Sequence, residues 1–167
     1  MKLKTSYQNK EFNQLIEPII TNEEYQKMKS CIHHGMNRYD HMIRVSYYSY
    51  KITKFLHLDY QSTARASALH DFFFDDISDS KTTRLLKHAD CALQHSLEYY
   101  PLNALEQDII QTHMFPFGAK IPRYLESWVV DLVDDVASVF EKTIVIKENM
   151  SLSFSMLSCM IWIMLKK

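Results

Sequence analysis

The chain has 167 residues, 47% hydrophobic and 23% charged, which suits one folded domain and excludes a disordered or fibrous chain. A net charge of -1 removes the electrostatic case for a nucleic-acid duplex or an anionic membrane as main partner. The only two glycines, Gly35 and Gly118, stand far apart, so a Rossmann fingerprint and a P-loop are both excluded, because each needs clustered glycines for backbone amides to approach phosphate.

Few glycines and four prolines favour long helices over a turn-rich β fold. The expected fold is all-α: a single-domain helical bundle over residues 1–167, with a core at about 30–141 and helices at 8–31 and 150–166 packed on it. Cys31, Cys91 and Cys159 are odd in number and form no CxxC pair. That argues against a disulfide framework or a zinc–thiolate site and for a reducing, cytoplasmic setting. The start, Met1 to Thr5, lacks the apolar run of a signal peptide.

A first helix is expected from Gln8 to Ile20, with Phe12, Leu15, Ile16 and Ile19 at helical spacing. Thr21 or Asn22 caps a second helix running to Cys31. His33 to Tyr39 reads as a loop. Asp40 is the expected N-cap of a third helix, His41 to Leu56, whose buried face holds His41, Val45, Tyr48, Ile52 and Phe55. A fourth helix runs from Gln61 through three alanines into His70-Asp71.

Asp75 to Thr83 is polar and reads as a connector at the mouth of a pocket. A fifth helix, Arg84 to Tyr99, turns Leu85, His88, Ala92, His95 and Tyr99 to one side. A sixth, Leu102 to Thr112, is followed by His113. A last long helix begins after Pro122, with Trp128, Val129, Leu132, Val133, Val136 and Phe140 as its expected core side. Of its acids, Asp134 borders that apolar face, whereas Asp131 and Asp135 lean toward solvent. The apolar tail, Met150 to Lys167, is shorter than the ~20 residues of a membrane span. It reads as a helix that completes the core or packs on a second subunit.

The chemistry centres on Ala68-Leu69-His70-Asp71-Phe72-Phe73-Phe74. An imidazole and a carboxylate are costly to bury without a partner, and a divalent metal suits both. Inward-facing His41, His70, Asp71, His88, His113 and Asp134 come from five predicted helices, a common way for bundles to build metal sites. Four histidines and two carboxylates suit two divalent ions, most simply bridged by Asp71. Fe, Mn, Co, Ni and Zn all accept such ligands.

This order, His…His-Asp…His…His…Asp, resembles the HD-domain superfamily of metal-dependent phosphohydrolases. The resemblance covers roughly Arg38 to Phe140, through Arg38-Tyr39-Asp40-His41, Ala64 to Phe73 and Leu132-Val133-Asp134. It implies an all-α fold, a first metal on His41, His70, Asp71 and Asp134, and His88 and His113 as the further ligands of two-metal members. The chain lacks the Gly-Tyr-Pro signature of members that cleave cyclic dinucleotides. It places Phe74 where alarmone hydrolases carry an acidic residue.

The activity expected is hydrolysis of a phosphate ester or anhydride, with a nucleotide-like small molecule as substrate and metal-activated water as nucleophile. Asp71 and His70 are its catalytic core. Arg38, Arg44 and Arg65 are candidate phosphate contacts, with Lys81, Arg84 and Lys87 in similar roles from the connector. His34 or Asp75 would shuttle protons. Two alternatives share the ligand set: a di-iron oxygenase, and a non-catalytic module that keeps metals for stability. A homodimer through the C-terminal helix is a further expectation.

Overall fold

The computed structural model describes residues 7–33, 36–74, 81–118 and 120–165, with side chains throughout except at 32, 33, 36, 81–86, 148, 149 and 151–165. The fold is all-helical apart from one two-stranded ribbon: α1 (Lys10–Ile20), α2 (Glu23–Gln26), a 3-10 turn (Lys27–Ser30), β1 (Ile32–His33), β2 (Met36–Asn37), α3 (Arg38–Phe55), α4 (Tyr60–Leu69), α5 (Lys81–Tyr99), α6 (Ala104–Thr112) and α7 (Leu125–Leu165).

Caps set most of these boundaries. Asn9 Oδ1 accepts from the Phe12 amide at 3.0 Å, which starts α1. Asn22, not Thr21, caps α2 by accepting from Glu24 N at 2.9 Å. The helix expected to reach Cys31 tightens into the 3-10 turn, and the expected loop at His33–Tyr39 contains the ribbon, with Ile32 opposite Asn37. Asn37 takes the capping place foreseen for Asp40, and Asp40 lies in the first turn with its own amide donating to Asn37 Oδ1 at 3.4 Å. Asp59 caps α4, and Asn103 and Glu106 form a reciprocal capping box on α6.

One core joins all of this. Phe12, Ile16 and Ile19 of α1, Tyr25, Met28, Met42, Val45, Tyr50, Ala64, Ala68, Leu69, Phe72, Ile109, Ile110 and Val130 are all buried in it. The N-terminal helices are therefore part of the same core. Ala64, Ala66 and Ala68 have no exposed surface, so α3 and α4 approach closely and Ser46 Oγ donates to Ala64 O at 2.6 Å.

Two expected faces are corrected. In α3, His41 and Val45 are buried, but Tyr48, Ile52 and Phe55 are exposed, Phe55 at 81%. The buried side carries Ser46, Ser49 and Thr53. A hydroxyl that bonds a carbonyl of its own or a neighbouring helix, as Ser46 and Thr53 do, can be buried at little cost. Small polar side chains thus occupy positions where large apolar ones would hold α4 away. In α7, Trp128, Leu132, Val136 and Phe140 are exposed, while Ser127, Val130, Asp131, Val133, Asp134, Ala137 and Glu141 are buried. The inner face is polar because it borders the site described below. Asp131, placed toward solvent on the sequence, is buried.

The backbone of α7 is continuous over 41 residues, so the tail expected as a separate helix is its C-terminal part. Among the described residues, no helix is long and apolar enough to cross a membrane. The N-terminal end of α7 is tied to α6 by Asp108, which accepts from Arg123 N at 3.0 Å, Arg123 Nε at 2.7 Å and Ser127 Oγ at 2.8 Å. That knot holds His113, at the end of α6, close to the face of α7 that carries Asp134.

Candidate metal centre

Five elements deliver the polar side chains. His41 comes from the second turn of α3. His70 caps the C-terminus of α4 and Asp71 follows in the turn, so the pair sits where the helix ends rather than within it. His88 projects from α5. His113 caps the C-terminus of α6, and Asp134 comes from α7. All but half-buried His88 are buried.

The six meet. Ligand atoms of His41, His70 and Asp71, of His70, His113 and Asp134, and of Asp71, His88 and His113 each lie within 4.8 Å of one another. The imidazoles form a chain, with ring centroids 5.3 Å apart for His41–His70, 4.9 Å for His70–His113 and 5.3 Å for His88–His113. Asp71 lies between its ends. One oxygen contacts His88 Nε2 and stands 3.5 Å from His113 Nε2; the other stands 3.9 Å from His70 Nε2. Asp134 Oδ1 is 2.8 Å from His41 Nε2 and 3.6 Å from His70 Nε2.

Two histidines have their tautomers set by the backbone. His70 Nδ1 is 2.8 Å from Ser67 O, and His113 Nδ1 is 2.7 Å from Ile110 O. A carbonyl oxygen only accepts, so each Nδ1 donates and each Nε2 is the atom left facing the cluster. Both Nε2 atoms are buried and without a hydrogen-bond partner, yet they face carboxylate oxygens. An imidazole nitrogen held this near a carboxylate oxygen calls for positive charge between the two, a proton or a metal ion. Divalent ions fit this arrangement: imidazole nitrogens and carboxylates, converging and buried, with the distal nitrogens already tethered. These residues could hold a metal ion.

Electrostatics agree. Burial alone would raise the Asp71 carboxyl, but His88, His70 and His113 hold it well below the usual carboxylate range. Asp134 follows the same logic: burial opposes ionisation, and His70 and His41 overcome it. For His41, burial favours the neutral ring, yet Asp134 and Asp71 raise its pKa overall.

Two neighbours join the cluster: Glu141, which the sequence reasoning missed, and Asp131, which it placed toward solvent. Glu141 Oε2 accepts from His41 Nδ1 at 3.1 Å, and its other oxygen pairs with Arg44. Glu141 lies two helical turns beyond Asp134 on the same face of α7, and that spacing was the available signal. A carboxylate behind a metal-binding histidine orients the ring and raises its basicity. Glu141→Gln is expected to weaken divalent-metal affinity about 10–100-fold without changing helix content. Competition against a coloured chelator measures the first and far-ultraviolet circular dichroism the second; unchanged affinity contradicts that role. Asp131, one turn before Asp134, is pushed up to about 7 by burial and by the charges of Asp135 and Asp134, against the pull of His113. Its carboxyl can therefore exchange a proton near neutrality beside the cluster.

The three candidate phosphate arginines are placed differently. Arg38 is buried, donates to Phe73 O at 2.7 Å and lies 4.4 Å over the Phe73 ring, which in turn packs against His88 at 4.6 Å. Arg44 pairs with Glu141. Arg65 is engaged by Glu106 at 2.7 Å and Pro101 O at 3.4 Å on the α4–α6 seam. Lys87 is exposed, whereas His34, Asp75 and the side chains of Lys81 and Arg84 lie outside the described residues. A groove of about 750 Å³ along α1 and α3, lined by Tyr7, Asn13, Glu17, Tyr39 and Ile43 among others, includes none of the six clustered residues.

Comparison with protein-family models, with curated proteins and with solved structures finds no match in any of the three. What the centre can do rests on its own chemistry.

Proposed function

We propose that this chain is a metal-dependent phosphohydrolase of the HD-domain type, acting on a phosphate ester or anhydride of a small molecule such as a nucleotide. The observation that carries the proposal is the pair of buried Nε2 atoms on His70 and His113, without hydrogen-bond partners and aimed at Asp71 and Asp134. Buried polar atoms are ordinarily hydrogen-bonded, so two left unpaired within one cluster call for another partner there.

His41, His70, Asp71 and Asp134 would hold one ion, and Asp71, His88 and His113 a second. Such ions supply Lewis-acid chemistry, making water more acidic and offsetting charge on phosphoryl oxygens. The chain itself supplies orientation. Ser67 and Ile110 fix the rings of His70 and His113, and Glu141 fixes His41. Buried Phe72 and Phe73 exclude water from the turn that carries Asp71.

Elemental analysis of purified protein, followed by phosphate release from a panel of nucleotides under anaerobic conditions, tests the reading. Bound divalent metal and oxygen-independent release of phosphate are expected. Turnover that requires oxygen would replace hydrolysis with the oxygenase alternative. Failure to bind Mn, Fe, Co, Ni or Zn would remove the metal reading altogether.

A further inference from the structure

The outer face of α7 carries Leu125, Trp128, Leu132, Val136, Val139, Phe140, Ile146 and Met150, all exposed, from 42% at Trp128 to 66% at Leu125. These residues lie opposite the face that supplies Asp134 and Glu141. The positions 125, 128, 132, 136, 139, 143, 146 and 150 advance by three or four residues, and only Thr143 among them is polar. From Val136 onward the steps alternate strictly, which is the heptad spacing of a helix that meets another helix along its length. The sequence continues that spacing at Ser153, Leu157, Met160 and Met164. No charge interrupts the stripe; Asp135, Lys142 and Lys147 flank it and are exposed.

We infer that this seam is a homodimer interface, covered by α7 of a second copy of the chain. Three observations select that occupant. The heptad spacing calls for a helical partner with the same repeat, and among the described residues α7 presents the longest such stripe, whereas that of α3 is confined to Tyr48, Ile52 and Phe55. A seam that runs along a single helix is self-complementary about a two-fold axis, so a second copy satisfies it without any further partner. The exposed side chains offer on the order of 700–900 Å² of apolar surface per copy, matching the ~800 Å² per partner of a stable interface. An exposed apolar patch of that size is itself unusual on a protein that stays monomeric. Because the candidate ligands lie on the opposite face of α7, pairing leaves them free, and the inference does not depend on the proposed activity.

Sedimentation of the full chain between 1 and 100 µM tests it, beside a Val136→Glu, Val139→Glu double variant. Both side chains are exposed, so the double variant should keep its helix content. The expected result is a dimer for the wild-type chain and a monomer for the variant, with a concentration-dependent melting temperature only for the former. A monomeric wild type would overturn the inference, as would a variant that remains dimeric. A wild type that is monomeric but pellets with phosphatidylcholine vesicles would assign the stripe to a lipid surface instead.

Discussion

Replacing Asp71 by alanine is expected to abolish turnover, by about a thousandfold or more, and to leave less than the full complement of metal bound. Its carboxylate faces three of the four imidazoles, contacting His88 and standing 3.5 Å from His113 and 3.9 Å from His70. Without it, two ions would face each other with no anion between them, and mutual repulsion would expel one. Folding should survive, because the turn is held by backbone bonds that alanine retains, Phe72 N to Leu69 O at 3.0 Å and Phe73 N to Asp71 O at 2.9 Å. Elemental analysis, single-turnover kinetics and circular dichroism on the same preparation separate these effects. A variant that keeps two ions and full activity would remove Asp71 from the centre. One that loses activity by unfolding would show it in the helical signal.

The second large effect is a pH crossover between metal-free and metal-loaded protein. In the metal-free chain, His41 has a folded pKa above its ordinary 6.5, because Asp134 and Asp71 outweigh burial. Its stabilising contribution is complete below about pH 6.5 and is lost as the pH rises through the folded value. Asp131 acts with the same sign, since its folded pKa of about 7 exceeds the ordinary 3.8, so that ionisation across that range costs stability. Asp71 and Asp134 are depressed below 3.8 and keep their contribution until the pH falls through their low folded values. The chelated protein should therefore lose stability between about pH 5 and 8.

Metal binding runs the other way. Protons compete for imidazole nitrogens, so affinity grows as they leave. At a hundredfold excess of ion over Kd, binding stabilises the fold by about 2.7 kcal/mol. For a chain of this size that is roughly 5–10 °C in melting temperature. The gap between Mn-loaded and chelated protein should widen from pH 6 to pH 8 in thermal scans. A gap that is absent, or that narrows over that range, would show that protons rather than metal ions separate these imidazoles from the carboxylates.

What the chain determines by itself is local. An all-helical fold follows from scarce glycine and apolar residues spaced for helices. A cap at Asn22, one of two candidates there, follows from a side chain that reaches an amide two residues away. The residue types of the cluster are equally legible, because a His-Asp pair among alanines and phenylalanines stands out against an apolar background, and His113 and Asp134 follow from their place beside apolar positions. Periodicity, however, reports that an apolar stripe exists and is silent on what the stripe meets. In α3 and α7 the packing turned part of each expected stripe outward, Tyr48, Ile52 and Phe55 in the one and Trp128, Leu132, Val136 and Phe140 in the other, and drew Ser46, Thr53, Asp131 and Glu141 inside. Burying such groups is tolerable only when distant partners arrive, as Ala64 O does for Ser46 and as His41 and Arg44 do for Glu141. His41 and Glu141 are a hundred residues apart in sequence, and only the folded chain brings them within a hydrogen bond.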